Sequence, residues 1–164
     1  MALYEPIFET LNRAGVRYVV VGGVAVVLHG HVRLTADLDL VVDLSAGEAK
    51  RTIETLVSLG LEPRAPVDPL GFADPRQRAV WIKEKNMEVF SMWSRTDPML
   101  VVDLFVEDPI PFEDLWARSE VVSLGNTSVR VAAIADLISM KRRAARPQDL
   151  LDIEELRKID IEKR

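Results

Sequence analysis

Apolar residues fall into short runs divided by glycine and proline, and their spacing changes along the chain. Ile7, Leu11 and Ala14 recur at helical spacing, which predicts a helix over residues 6–14 that Gly15 stops. Tyr18–Val21 is an unbroken apolar run and predicts a buried strand. Residues 24–28 have strand composition, yet Gly22-Gly23 before them and Gly30 after them bracket a short helix. Residues 38–44 predict the next strand. Ser45 then offers an N-cap for a helix over 46–59, with Glu48 completing a capping box and Gly60 ending it. Residues 63–71 are proline-rich and predict a loop, and residues 75–85 a helix. Strands are expected over 87–93 and 100–105, with a turn at Thr96-Asp97-Pro98. A short helix follows over 111–118. Residues 121–124 and 129–131 flank Gly125-Asn126 as a hairpin. The chain ends in helices over 134–145 and 147–159, the second opened by Pro147, and a charged stretch from Lys158 onward is expected to fray. The order is that of an α/β (α+β) protein: a small mixed twisted sheet flanked by helices, with a short helical C-terminal segment. Residues 1–132 form the expected core, and 133–164 a helical segment packed on the same domain.

Composition narrows the function classes. The 164 residues, 48% of them hydrophobic, suffice for one domain with a real core. A net charge of −5 argues against an extended nucleic-acid footprint, though a small basic patch or a metal-borne nucleotide stays compatible with it. With no cysteine there is no disulfide, thiolate metal site or thiol nucleophile. The first residues carry no signal-peptide pattern, and the longest apolar run is too short and too glycine-broken to span a bilayer. A soluble cytoplasmic protein with no membrane partner is the expectation.

Asp37 and Asp39 stand two apart where the apolar run over 38–44 begins. Residues i and i+2 of a strand face the same way, about 6–7 Å apart along the backbone. Paired carboxylates of this kind suit one or two Mg²⁺ ions, which take hard oxygen ligands together with phosphate and water. Like charges on one face otherwise repel, so a cation or basic partner is expected. Asp103, one charge inside the apolar run 100–105, is the candidate third ligand; it also suits the role of general base toward an attacking hydroxyl. An Asp-x-Asp at a strand end serves equally as a solvated edge or a cap, and Asp43, at the far end, reads as solvent-facing or as a cap. Gly22 and Gly23 allow close approach of backbone to phosphate, or simply a turn with positive φ. Neither a Walker A nor a G-x-G-x-x-G pattern is present.

Together these residues resemble the DNA polymerase β-like nucleotidyltransferase superfamily: a glycine-pair turn (Gly22, Gly23), a short helix, Asp-x-Asp on the next strand (Asp37, Asp39) and a third acid on a later strand (Asp103). More narrowly, Gly22-Gly23-Val24-Ala25, His29-Gly30 and Arg33-Leu34-Thr35-Ala36-Asp37-Leu38-Asp39 look like a prokaryotic branch that includes abortive-infection (AbiE-type) toxin nucleotidyltransferases. The stretch from Asp136 to Lys141 and the later Arg146-Pro147-Gln148-Asp149 resemble its helical tail. The resemblance implies a nucleotidyltransferase fold and Mg²⁺-dependent transfer of a nucleoside monophosphate from an NTP such as ATP to a hydroxyl, with release of pyrophosphate. It names no acceptor: RNA, protein and small molecule are all compatible, as is a catalytically silent antitoxin-like module or an antibiotic adenylyltransferase.

Supporting roles follow. Arg33 can neutralise a triphosphate or be a surface charge. Thr35 can bond a phosphate or position Asp37. Lys141 shares a helical stripe with Ile134 and Ile138, so it is favoured as a phosphate ligand over Arg142 and Arg143. Asp149 and Asp152 are expected in salt bridges, with Lys141 or Arg146 as partners. His29 reads as structural, and Trp81, Trp93 and Trp116 as core.

Overall fold

A computed structural model describes all 164 residues. Its helices are α1 (Glu5–Arg13), α2 (Gly22–Leu28), α3 (Ala46–Ser58), α4 (Pro75–Lys85), α5 (Phe112–Arg118), α6 (Ile134–Ala144) and α7 (Pro147–Glu162). Its strands are β1 (Tyr18–Val21), β2 (Leu38–Val42), β3 (Leu61–Pro63), β4 (Val89–Ser94), β5 (Val101–Phe105), β6 (Glu120–Leu124) and β7 (Thr127–Val131). They form one seven-stranded mixed sheet in the order β3-β4-β5-β2-β1-β7-β6. The β2–β5 and β1–β7 pairs are parallel and the rest antiparallel. The α/β reading of the sequence holds, with helices around one mixed sheet.

Burial explains the strand order. Every residue of β1 is buried, as its unbroken apolar run requires of a central strand. In β2 only Asp39 escapes full burial, and β5 is buried from Val101 to Leu104. At one edge, β6 alternates between exposed and half-buried. One continuous core joins elements from Tyr4 at the N-terminus to Leu156 on α7, so α6 and α7 share it with the sheet.

Five expectations are corrected. Residues 63–71 are not all loop: Pro63 closes β3, and Pro69–Ala73 forms a 3-10 turn whose Phe72 is buried. Ser45 makes no side-chain cap on α3; instead its N–H donates to Asp43 Oδ1 at 3.0 Å, which gives Asp43 its capping role. Glu48 bonds Arg51 rather than closing a capping box. The tail does not fray at Lys158, because α7 runs to Glu162 and Lys163 Nζ reaches His29 Nδ1 at 3.1 Å. Of the tryptophans only Trp81 is fully buried, stacked on Phe90 at 5.0 Å. Trp93 lies half-buried with Arg64 over its ring, and Trp116, half-buried, packs against the core as expected while Arg17 and Arg130 lie over its ring.

Candidate active site

Strand register builds the site. Val21 of β1, Asp39 of β2, Asp103 of β5 and Ser91 of β4 stand opposite one another in a single row across four strands. Residues directly opposite share a face, so Asp39, Asp103 and Ser91 point the same way. Ser91 Oγ donates to Asp103 Oδ1 at 2.5 Å. Asp37, two residues before Asp39, joins the face from the end of the incoming loop. A cleft of about 530 Å³ opens there, lined by all three aspartates, by Gly22 and by Lys141.

Gly22 is required on two counts. Its φ of +69° lies in the left-handed region, and a Cβ there would stand 2.1 Å from Asp39 Oδ2. A Cβ on Gly23 would meet Thr35 Oγ1 at 2.5 Å and Arg33 Nη2 at 2.8 Å. The glycine pair therefore brings α2 against the segment that delivers the carboxylates. Gly23, Arg33 and Thr35 lie behind the cleft wall rather than on it. Thr35 Oγ1 donates to the Asp37 carbonyl at 3.4 Å. Arg33 is spent on intramolecular bonds, to the Leu34 carbonyl and to Asp152 Oδ2 at 2.9 Å.

Lys141 faces the cleft from α6 but is buried and paired, with Asp152 Oδ2 at 2.8 Å and Asp149 Oδ1 at 3.5 Å. Arg146 closes an i,i+3 pair with Asp149 at 2.8 Å. Arg143 and Arg146 line the same cleft, whereas Arg142 does not. Ser91 and Glu88 are the residues that sequence reading missed, and Arg143, ranked below Lys141 there, reaches the cleft as Lys141 does. The strand alternation of β4 marks Ser91, but its partner emerges only with the register. His29 is structural, with Nε2 at 2.8 Å from the Ala132 carbonyl.

Electrostatics favour a cation at the carboxylates. Burial, then Asp103 and Asp37, push the Asp39 carboxyl up to about 7, while Lys141 and Arg146 pull in the opposite direction. Burial also raises Asp103, against the hydrogen bond from Ser91. No three acidic or histidine side chains close into a ligand cluster by themselves. Their donor set nevertheless fits Mg²⁺: hard carboxylate oxygens on one face, held in a state that added positive charge would relieve.

No protein-family model and no curated protein matches the sequence. Solved structures match in fold. The lincosamide antibiotic adenylyltransferase LnuA, with lincomycin bound, superposes at a TM-score of 0.65 and 14% identity over 96% of each chain. ANT(2″)-Ia in complex with adenylyl-2″-tobramycin gives 0.61 and 12%, over 98% of this chain and 92% of that one. A Thermotoga maritima protein provisionally described as a nucleotidyltransferase gives 0.60 and 15%, over 99% and 92%. The architecture is thus the nucleotidyltransferase fold. No helix is long and apolar enough to cross a membrane.

Proposed function

We propose that this protein is a metal-dependent nucleotidyltransferase that moves a nucleoside monophosphate from an NTP to a hydroxyl. The observation that carries the reading is the single row placing Asp39 and Asp103 on one face, with Asp37 beside them in one cleft. Asp37, Asp39 and Asp103 are the residues that would hold Mg²⁺, two ions where the NTP brings its own phosphate oxygens. Bound there, the metal would neutralise triphosphate charge and polarise the α-phosphorus. The chain's own side chains divide the remaining work. Gly22 keeps the cleft floor free of side chain beside Asp39, where phosphate can approach the backbone. Lys141, Arg143 and Arg146 supply positive charge on the opposite wall. Asp103, held by Ser91, takes the proton of the acceptor hydroxyl as its oxygen bonds the α-phosphorus and the bond to the pyrophosphate leaving group breaks. Arg33 and Thr35 act behind the wall, holding the segment that carries Asp37.

For the acceptor, the cleft favours a small molecule. Val89, Phe105, Pro109, Leu137 and Met140 give it an apolar wall, and its volume lies in the range of small-ligand sites. LnuA, a lincosamide antibiotic adenylyltransferase with lincomycin bound, and ANT(2″)-Ia, in complex with adenylyl-2″-tobramycin, share the fold over nearly the whole chain. A hydroxyl-bearing antibiotic-like acceptor is accordingly preferred over the RNA or protein acceptor of a toxin-type relative.

The test is transfer itself. The protein is incubated with each α-labelled NTP, Mg²⁺ and, in separate arms, a panel of lincosamides and aminoglycosides, total RNA, and cell-extract protein. Labelled product should form with the wild type and vanish with Asp39→Asn. Label in RNA or protein alone would restore the toxin-type reading. Absence of both transfer and Mg²⁺-dependent NTP binding would leave a silent binding module.

A further inference from the structure

Asp152 lies on α7, far from the three carboxylates in sequence, and its side chain is fully buried. It accepts three hydrogen bonds: from Arg33 Nη2 at 2.9 Å, from Lys141 Nζ at 2.8 Å and from Gln148 Nε2 at 3.0 Å. The first two donors come from different elements and meet on the same oxygen, Oδ2. Lys141 faces the cleft from α6. Arg33 opens the segment that runs to Asp37, and residues 32–36 make no backbone hydrogen bond through their N–H groups. Val32 and Leu34 of that segment are 87% and 96% exposed, so apolar packing does not fix it. Arg33, with Thr35 behind Gly23, is its anchor, and the guanidinium is itself held at Asp152. An isolated buried carboxylate would be costly; here two cations and an amide bond its oxygens and hold those groups at one point, while Arg33 Nε is left buried without a partner.

We infer that Asp152 is a positioning residue: it locks Arg33 and Lys141 at one point and so sets both the segment that presents Asp37 and the cationic wall facing it. The inference rests on the nucleotidyl-transfer reading only for its effect on ligand binding; its effect on the segment is independent of that reading. Partners one layer behind metal-binding or catalytic groups change affinity or activity about 10–100-fold when removed.

The experiment has two arms. In the first, ¹⁵N relaxation gives backbone order for residues 33 and 35–37 in the wild type, Asp152→Asn, Arg33→Lys and the control Glu154→Gln, at an exposed position of the same helix. Order should fall in this segment in Asp152→Asn and Arg33→Lys while β1 and β2 stay rigid, and should not change in Glu154→Gln. Unchanged order in the segment, or a uniform loss across the sheet, would overturn the inference. In the second, calorimetry measures binding of each α,β-methylene NTP with Mg²⁺. Asp152→Asn should weaken it about tenfold or more, and Asp152→Asn with Arg33→Lys should cost less than the two losses combined, since both cut one link. Wild-type affinity in a loosened Asp152→Asn, or full additivity, would overturn it. Should Asp152→Asn fail to fold, Arg33→Lys decides through the segment's order. A wild type that binds no nucleotide would sink the nucleotidyl-transfer reading, and the relaxation arm would still decide the positioning role.

Discussion

Gly15 and Gly22 both adopt positive φ, yet their surroundings differ: nothing lies within 4 Å of a Cβ at Gly15, whereas at Gly22 Asp39 fills that space. Gly15→Ala should therefore cost only the left-handed strain, about 1–2 kcal/mol. Gly22→Ala should cost that strain plus the displacement of Asp39, and should abolish Mg²⁺·NTP binding; denaturant melts beside calorimetry on both variants check the contrast. Asp39 itself works against the fold. Its carboxyl is pushed up to about 7 by burial and by its acidic neighbours, so at pH 8 the ionised form is held at a cost. Asp39→Asn should raise the melting temperature at pH 8, on the order of 5 °C, while losing the stabilisation that Mg²⁺ gives the wild type by mass action. A variant less stable than wild type without metal would contradict this. Residue identities of this kind were legible in the sequence, because a single acid inside an apolar run demands a partner. Which partner was not: Arg33 and Asp152 are 119 positions apart, a pairing no local pattern encodes.

At the scale of elements, α7 is tied to α6 by charge. Burial pushes the Asp152 carboxyl up, but hydrogen bonds from Lys141, Gln148 and Arg33 outweigh it and leave it below the ordinary range; Arg146 does the same for Asp149. Both folded carboxyls thus ionise more easily than unfolded ones. Their contribution is fully present above the unfolded pKa of about 4 and is lost as pH falls through the lower folded values. Melts from pH 6 down to pH 2 should show the wild type losing stability below about pH 4, with a shallower loss in Asp152→Asn; identical profiles would remove the network's role. Long elements such as α4 and α6 were legible from spacing and proline placement. The strand β3 was not, since Leu61–Pro63 is too short to alternate, and it exists because β4 offers an open edge. The α3 cap was misread because Asp43, arriving from β2, satisfies the turn that Ser45 and Glu48 were expected to close.

For the whole molecule, the shared core decides how it unfolds. Leu137 of α6 and Leu156 of α7 are buried in the same cluster as β1 and α1. Near-UV and far-UV circular dichroism should therefore trace one coincident transition; an early loss confined to helical signal would show that residues 133–164 melt separately. The fold class was legible from the order of predicted elements. The strand order was not, because the parallel β2–β5 contact joins strands separated by α3, β3, α4 and β4 and depends on long-range pairing.

That same β2–β5 contact has a consequence in time. Asp37 and Asp39 emerge from the ribosome long before Asp103, and until β5 docks they have no third acid to repel. Repulsion between these acids therefore arises only when β5 pairs with β2. A divalent cation that neutralises it should speed refolding of the wild type more than that of Asp39→Asn, which stopped-flow refolding with and without Mg²⁺ would show.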